Sequence, residues 1–312
     1  KITQIEIEGN NSTQPDYLLN WAKLQKGQEI NARVLERAKQ NLLDTGLYRS
    51  VNVLHDHGCP TSGKVTIRVK EKNYHLVYPR INRNGNGDID TGVKYQGNNL
   101  FGTGQSLEIT ASRKDYASGN TADRIKLNYH QQLLEHPYYL DWSLYSADTV
   151  LADFDYLLTQ QEKRFAFTVA RDWHNDFFRT PIRVKAKLDL QEMDLQGDAS
   201  LTELEPGKYN TLGLGVSYND VHNHVYRRTG SYYSAEVNHG FYELGSDSDN
   251  TRLLLEARFY HPLNDLDNFN SRFIVAFANE QLFNLFNYTV GGADTIRGIE
   301  NNSIGGNSMW LS

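Results

Sequence analysis

Few residues in this 312-residue chain are arranged for chemistry, and most fail on spacing. His55-Asp56-His57-Gly58-Cys59 reads like a metal-binding string, but it lies in a turn between two strand-like segments. A His-x-His pair with one thiolate lacks the fourth ligand a closed zinc site needs. His222 and His224 flank Asn223 in another turn-like stretch. No G-x-S-x-G nucleophile elbow and no paired-carboxylate motif occurs. GNGD at 85–88 and GTGQ at 102–105 do not open helices, as a phosphate-binding loop must. The expectation is a protein that is not an enzyme, with no cofactor, no metal and no nucleotide. One stretch stands apart, GGADTIRGIE at 291–300. Its Arg297 sits among Gly291, Gly292 and Gly298, which permit tight backbone conformations. Folded inward, its guanidinium would need a carboxylate; left outside, it would be a solvated loop arginine.

Composition narrows the setting. Only 39% of residues are apolar and the mean hydropathy is -0.61, yet aromatics reach 12%. That aromatic content argues against disorder. A net charge of -6 lacks the basic footprint of nucleic-acid binding, and the single Cys59 excludes an internal disulfide. No apolar run reaches the length of a transmembrane helix.

Residues 1–72 read as a small α/β module. Ile2, Ile5 and Ile7 mark a strand, Thr13 an N-cap with Asp16 completing a capping box, and Pro15 a first helical turn. Tyr17, Leu18, Trp21 and Leu24 share a face of that helix, which Gly27 ends. Asn31 opens a second helix, with Val34, Leu35, Ala38 and Leu42 at helical spacing and Gly46 at its end. Two alternating strands follow, SVNVLHD and KVTIRVKEK, giving the order β-α-α-β-β.

From residue 73 the period becomes two. In PIRVKAKLDLQ, Ile182, Val184, Ala186, Leu188 and Leu190 oppose Arg183, Lys185, Lys187, Asp189 and Gln191. In TRLLLEARFY, Leu253, Leu255, Ala257 and Phe259 oppose Arg252, Leu254, Glu256 and Arg258. A soluble sheet would hide the apolar face in a core; a transmembrane barrel would turn it to lipid. Three features favour the barrel. The segments match the 9–11 residues needed to span with tilt. Tyr138, Tyr139, Trp173, Tyr218, Tyr232, Tyr233 and Tyr260 gather near segment ends, as interfacial girdles do. Short connections (99–104, 134–137, 262–268) alternate with long ones (148–160, 193–207, 283–308). About eleven strands fit before residue 283, an odd number where bacterial barrels are even.

These segments resemble a known family. IEIEGN, GLYRSVNV at 46–53 and VTIRVKEK at 65–72 are similar to the recurrent segments of a POTRA domain. NNLFGTGQSLEI at 98–109 resembles the first periplasmic turn of the BamA/TamA superfamily of outer-membrane assembly and secretion proteins. Asp220, Asn223, Thr229 and Gly230 resemble a later turn, although Arg227 and Arg228 stand near a usual proline. Ile296-Arg297-Gly298-Ile299, followed by Gly305-Gly306, resembles the signature of the family's long sixth loop, with Ile299 in place of the aromatic.

The resemblance implies a periplasmic POTRA-like domain at 1–72, then at 73–312 the N-terminal part of an all-β antiparallel transmembrane barrel in a Gram-negative-type outer membrane. About eleven of roughly sixteen strands would be present, the others lying beyond Ser312. It implies a protein that folds and inserts β-barrel clients; the alternative is a dedicated secretion pore exporting a partner. Unfolded clients or a secreted partner, membrane lipid and periplasmic accessory proteins are the implied partners. Val51, Asn52, Val53, Leu54 and His55 would form the POTRA edge strand, open to β-augmentation or merely a short protected edge. Leu76, Val77, Tyr78, Pro79, Arg80 and Ile81 would form the client-pairing seam. Pro79 cannot donate a ladder bond, which equally marks an ordinary strand end. Arg297 would meet a lumen carboxylate, which in the family comes largely from strands after this loop; within 1–312, Glu108, Asp141, Glu236 and Glu256 are the substitutes.

Overall fold

The computed structural model describes residues 1–55, 63–83, 87–133, 138–151, 158–173, 180–197, 205–223, 228–264, 267–280, 288–290, 304–306 and 308–311. They form two compact units: Lys1–Pro79 with Val93–Ile109 and Tyr129–His136, and the remainder.

In the first unit, β1 (Gln4–Glu8), α1 (Pro15–Ala22), α2 (Ala32–Asp44), β2 (Tyr48–His55) and β3 (Lys64–Glu71) follow in order. The sheet order is β1-β3-β2, with β1 parallel and β2 antiparallel to the central β3. Both helices bury one face. Leu18 and Leu42 are fully buried with Val65 and Ile67 of β3 beneath them. Each such side chain contributes roughly 1.5–3 kcal/mol by leaving water. Asn31 caps α2 as its position predicts, its side chain accepting from the Val34 amide at 2.8 Å. Thr13 does not cap α1. The cap is Gln14, whose side chain makes no capping bond, and Lys23 ends the helix in the left-handed region. The Thr13 hydroxyl is engaged elsewhere, as described below, and is not free to cap.

The remaining strands form one antiparallel series: β4 (His75–Arg83), β5 (Ile89–Leu100), β6 (Gln105–Asp115), β7 (Thr121–Gln132), β8 (Tyr138–Leu151), β9 (Leu158–Trp173), β10 (Ile182–Gln196), β11 (Gly207–Asn219), the two-residue β12 (His222–Asn223), β13 (Arg228–Gly240), β14 (Thr251–Pro262) and β15 (Asn268–Ala278). β16 (Tyr288–Val290) pairs with β17 (Ile304–Gly306), and β18 (Ser308–Leu311) adds to β15. Sheet order runs β18-β15-β14-β13-β11-β10-β9-β8-β7-β6-β5-β4, so β4 and β18 are its terminal strands. Setting aside two-residue β12, the strands before residue 283 are those the alternation marks.

The connections differ from expectation. Residues 148–160 and 193–207 read as long loops, yet β8 and β9 stay paired out to Leu151↔Leu158, and β9 and β10 out to Gln196↔Thr159. Polar residues such as Asp148, Gln160 and Gln161 occupy both faces there. The ladder therefore persists where the alternation that signals a strand has faded. These strands run to 16 residues, beyond the 9–11 that cross a bilayer.

Register assigns the faces. Leu140, Val169, Ala186 and Leu214 lie in one cross-strand row, and Trp142, Phe167, Leu188 and Leu212 in the next. This apolar face is bare: Leu214 is 64% exposed and Phe277 53%. Asp189, Met193, Tyr209 and Thr211 point the other way and are buried. No helix among the described residues is long and apolar enough to cross a membrane.

Candidate functional site: clasp, charged wall and terminal strand

Three arrangements position side chains. The first is a clasp within the N-terminal unit. The segment before α1 carries Ser12 and Thr13, whose amides donate to the Glu71 carboxylate at 3.0 and 2.8 Å; the Thr13 hydroxyl adds a 2.6 Å bond. That hydroxyl also accepts from Asn99 Nδ2 at 2.8 Å and lies 3.2 Å from the Tyr74 hydroxyl. Asn99 opens the β5–β6 turn, and its Oδ1 accepts from the Gly104 amide at 2.9 Å. The Gln14 amide donates to the Gly102 carbonyl and its side chain to that of Phe101, each at 2.9 Å. The turn demands this support. Asn99, Phe101, Gly102 and Gly104 all have positive φ, uncommon in such density for non-glycine residues. A Cβ on Gly104 would strike the Tyr17 ring, and one on Gly102 the Ser12 carbonyl. Burial pushes the Tyr17 hydroxyl up to about 12, and raises those of Tyr48 and Tyr74.

The second is a charged wall on the polar face. Arg164 grips Asp189 with two bonds, at 2.7 and 2.5 Å, and Lys187 approaches the same carboxylate at 2.8 Å. Arg183 grips Asp172 at 2.7 and 3.0 Å while stacking over Tyr139 at 4.0 Å, and the Tyr139 hydroxyl donates to Asp172. Lys185 bonds Glu236, and Arg258 and Arg272 bond Glu256. Gly213 and Gly215 make room: a Cβ there would meet Asn238 and Lys185. Forked guanidinium–carboxylate pairs are the strong, directional kind.

The third is the terminal strand β4, which carries Leu76 to Ile81. Val77 and Ile81 are 69% and 78% exposed, and Arg80 pairs with Asp90 at 3.2 Å. In the N-terminal sheet β2 is likewise an edge: Val51 is buried, Asn52 and Leu54 are exposed, and Val53 and His55 are partly covered.

The loop motif Gly291, Gly292, Ile296, Arg297, Gly298 and Ile299 lies outside the described residues, as do Asp56–Pro60 and His224. The short hairpin of β16 and β17 borders that motif in sequence, and the Tyr288 hydroxyl bonds the Leu253 and Phe277 carbonyls at 3.1 Å. Among the carboxylates proposed for Arg297, Glu236 and Glu256 already hold cations, Glu108 holds Lys94 at 2.6 Å, and Asp141 is also engaged. Sequence reading missed the clasp. Its signal was Asn99 within a glycine-rich turn, a residue type that tolerates positive φ and bonds backbone.

A sheet with a bare apolar face and an ion-paired polar one, behind a small α/β domain, defines a POTRA-plus-barrel membrane protein. Residues 1–72 match the POTRA family, described as surface antigen variable number repeat, and residues 99–311 match the Omp85 superfamily domain. The chain belongs to the Omp85 superfamily, whose members are outer-membrane proteins. Among solved structures it is similar to BamA from Haemophilus ducreyi lacking POTRA domains 1-3, at TM-score 0.68 and 18% identity, over 97% of this chain and 61% of that one. CdiB from Escherichia coli aligns at TM-score 0.73 and 14% identity, over 99% and 60%. CdiB from Acinetobacter baumannii aligns at 0.70 and 13%, over 99% and 58%. The chain thus spans about three-fifths of the structures it matches.

Proposed function

We propose that this protein is an outer-membrane assembly factor without enzymatic activity, which folds β-barrel clients by pairing them to β4, with the POTRA domain in the periplasm. The observation that carries the reading is the position of β4. It ends the sheet order, presents bare Val77 and Ile81, and contains Pro79, which donates no ladder bond. An extended client strand would pair with the backbone of β4 while its apolar side chains continue the lipid-facing surface. The edge strand β2 would first hold the client by the same backbone pairing. The free energy for the step comes from burying client surface and closing its hydrogen bonds.

The test is a quantitative outer-membrane proteome after depletion of the full-length protein in its own organism. Concerted loss of many unrelated barrels supports assembly, and Arg297→Ala should reproduce that loss. An unchanged membrane with one exported protein missing from the medium would instead make it a dedicated secretion pore.

A further inference from the structure

The apolar face ends abruptly. Across β8, β9, β10 and β11 its last apolar row is Leu144, Phe165 and Leu190, closed by Asn210. Two residues further along each strand, the row reads Ser146, Lys163, Glu192 and Lys208. Beyond it come Asp148, Gln161 and Asp194. The change takes one pleat repeat, roughly 6.6 Å of strand. On a lipid-facing wall that step marks where hydrocarbon meets headgroups.

A cavity of about 440 Å³ straddles the step, floored by Ile125, Leu144, Phe165 and Leu190 and rimmed by Lys163 and Lys208. Both ammonium groups reach outward, with side chains 58% and 56% exposed. Their ion pairs are loose: Lys163 is 3.9 Å from Asp194 and Lys208 is 3.3 Å from Glu192. Exposed pairs of this kind contribute little and give way readily to a stronger anion. The two lysines stand two strands apart, roughly 10 Å at the usual strand spacing. Glu192 lies between them, and a single phosphate placed midway would face its negative charge. Each lysine therefore suits a phosphate of its own.

From this row we infer a binding site for an acylated lipid bearing two phosphates roughly 10 Å apart, its headgroup on Lys163 and Lys208 and an acyl chain along Leu144, Phe165 and Leu190. Glu192 enforces the spacing. The site does not depend on the proposed function, since an assembly factor and a secretion pore would carry it alike. It needs only that the apolar face meets lipid.

Native mass spectrometry of the full-length protein, released from nanodiscs, tests it. The probes are bis-phosphorylated lipid A, its mono-phosphorylated form, phosphatidylglycerol and inorganic phosphate. The bis-phosphorylated lipid should be retained best. At the strength of a lysine near an anionic surface, Lys163→Ala or Lys208→Ala should each lower its retention roughly fivefold, and the double variant roughly thirtyfold. Either single variant should hold both forms of lipid A equally, while Lys163→Arg with Lys208→Arg should keep the preference. Heat-modifiable gel mobility confirms that each variant is folded. Equal retention of the two forms by the unaltered protein would overturn the inference. So would inorganic phosphate binding as tightly as the lipid, or retention that a chelator abolishes in every variant, which would place a bridging cation on the carboxylates instead.

Discussion

The N-terminal domain and the strands that follow use the same alternation in opposite senses. In β3, Val65, Ile67 and Val69 are buried beneath two helices while Arg68 and Lys64 pair outward with Glu8 and Glu6. In β11, Leu212, Leu214 and Val216 are the bare residues, while Tyr209 and Thr211 are buried on the ion-paired side. One region follows the rule for water, the other the rule for lipid. A pattern of apolar residues reports a face, and the surroundings decide which way that face turns.

The largest effect should come from the water-type core. Leu42→Ala removes a fully buried side chain and should cost about 2–5 kcal/mol, read as a lower urea midpoint for proteolysis of the N-terminal domain. Leu214→Lys should cost about 2–4 kcal/mol in barrel stability measured in lipid vesicles, depending on depth. On a solvated face the same change is nearly neutral, so a silent Leu214→Lys would break the comparison outright.

Smaller effects sharpen it. Asp189→Asn leaves Arg164 and Lys187 facing each other and should cost about 1–3 kcal/mol, the partial exposure of Arg164 limiting the penalty. Adding Arg164→Gln should recover much of that loss; if the double variant is no better than Asp189→Asn alone, the wall is not an interdependent network. Asn99→Ala strips the clasp of its bond to Thr13 and should cost about 1–3 kcal/mol, seen as faster proteolysis at the β5–β6 turn. Raising the pH gives the gentlest probe. Burial raises the Tyr17, Tyr48 and Tyr74 hydroxyls. The Tyr17 contribution is therefore complete below about pH 10 and fades as pH climbs through about 12, and those of Tyr48 and Tyr74 fade in the same direction. Tyr17→Phe should flatten that alkaline loss, and an unchanged profile would show that the hydroxyl is not buried.

Legibility followed the strength of local signals. Asn31 was readable as a cap because its bond reaches only three residues onward. Thr13 carried the same signal and was misread, since Glu71 and Asn99, distant in sequence, compete for its hydroxyl. Strands were readable where one face met lipid and faded where polar residues filled both faces, as at 148–151 and 158–161. The loop motif around Arg297 was legible only through family resemblance.

The residues alone determined the order of elements, the two periodicities and which side chains share a face, because each depends on neighbours within a turn or a pleat. Tertiary structure decided the rest. It chose Asp189 over other carboxylates for Arg164 and closed the clasp across Thr13, Glu71 and Asn99. It also set Lys163, Glu192 and Lys208 in one row. Those relations depend on strand register, and register is a property of pairs of strands that no single segment encodes.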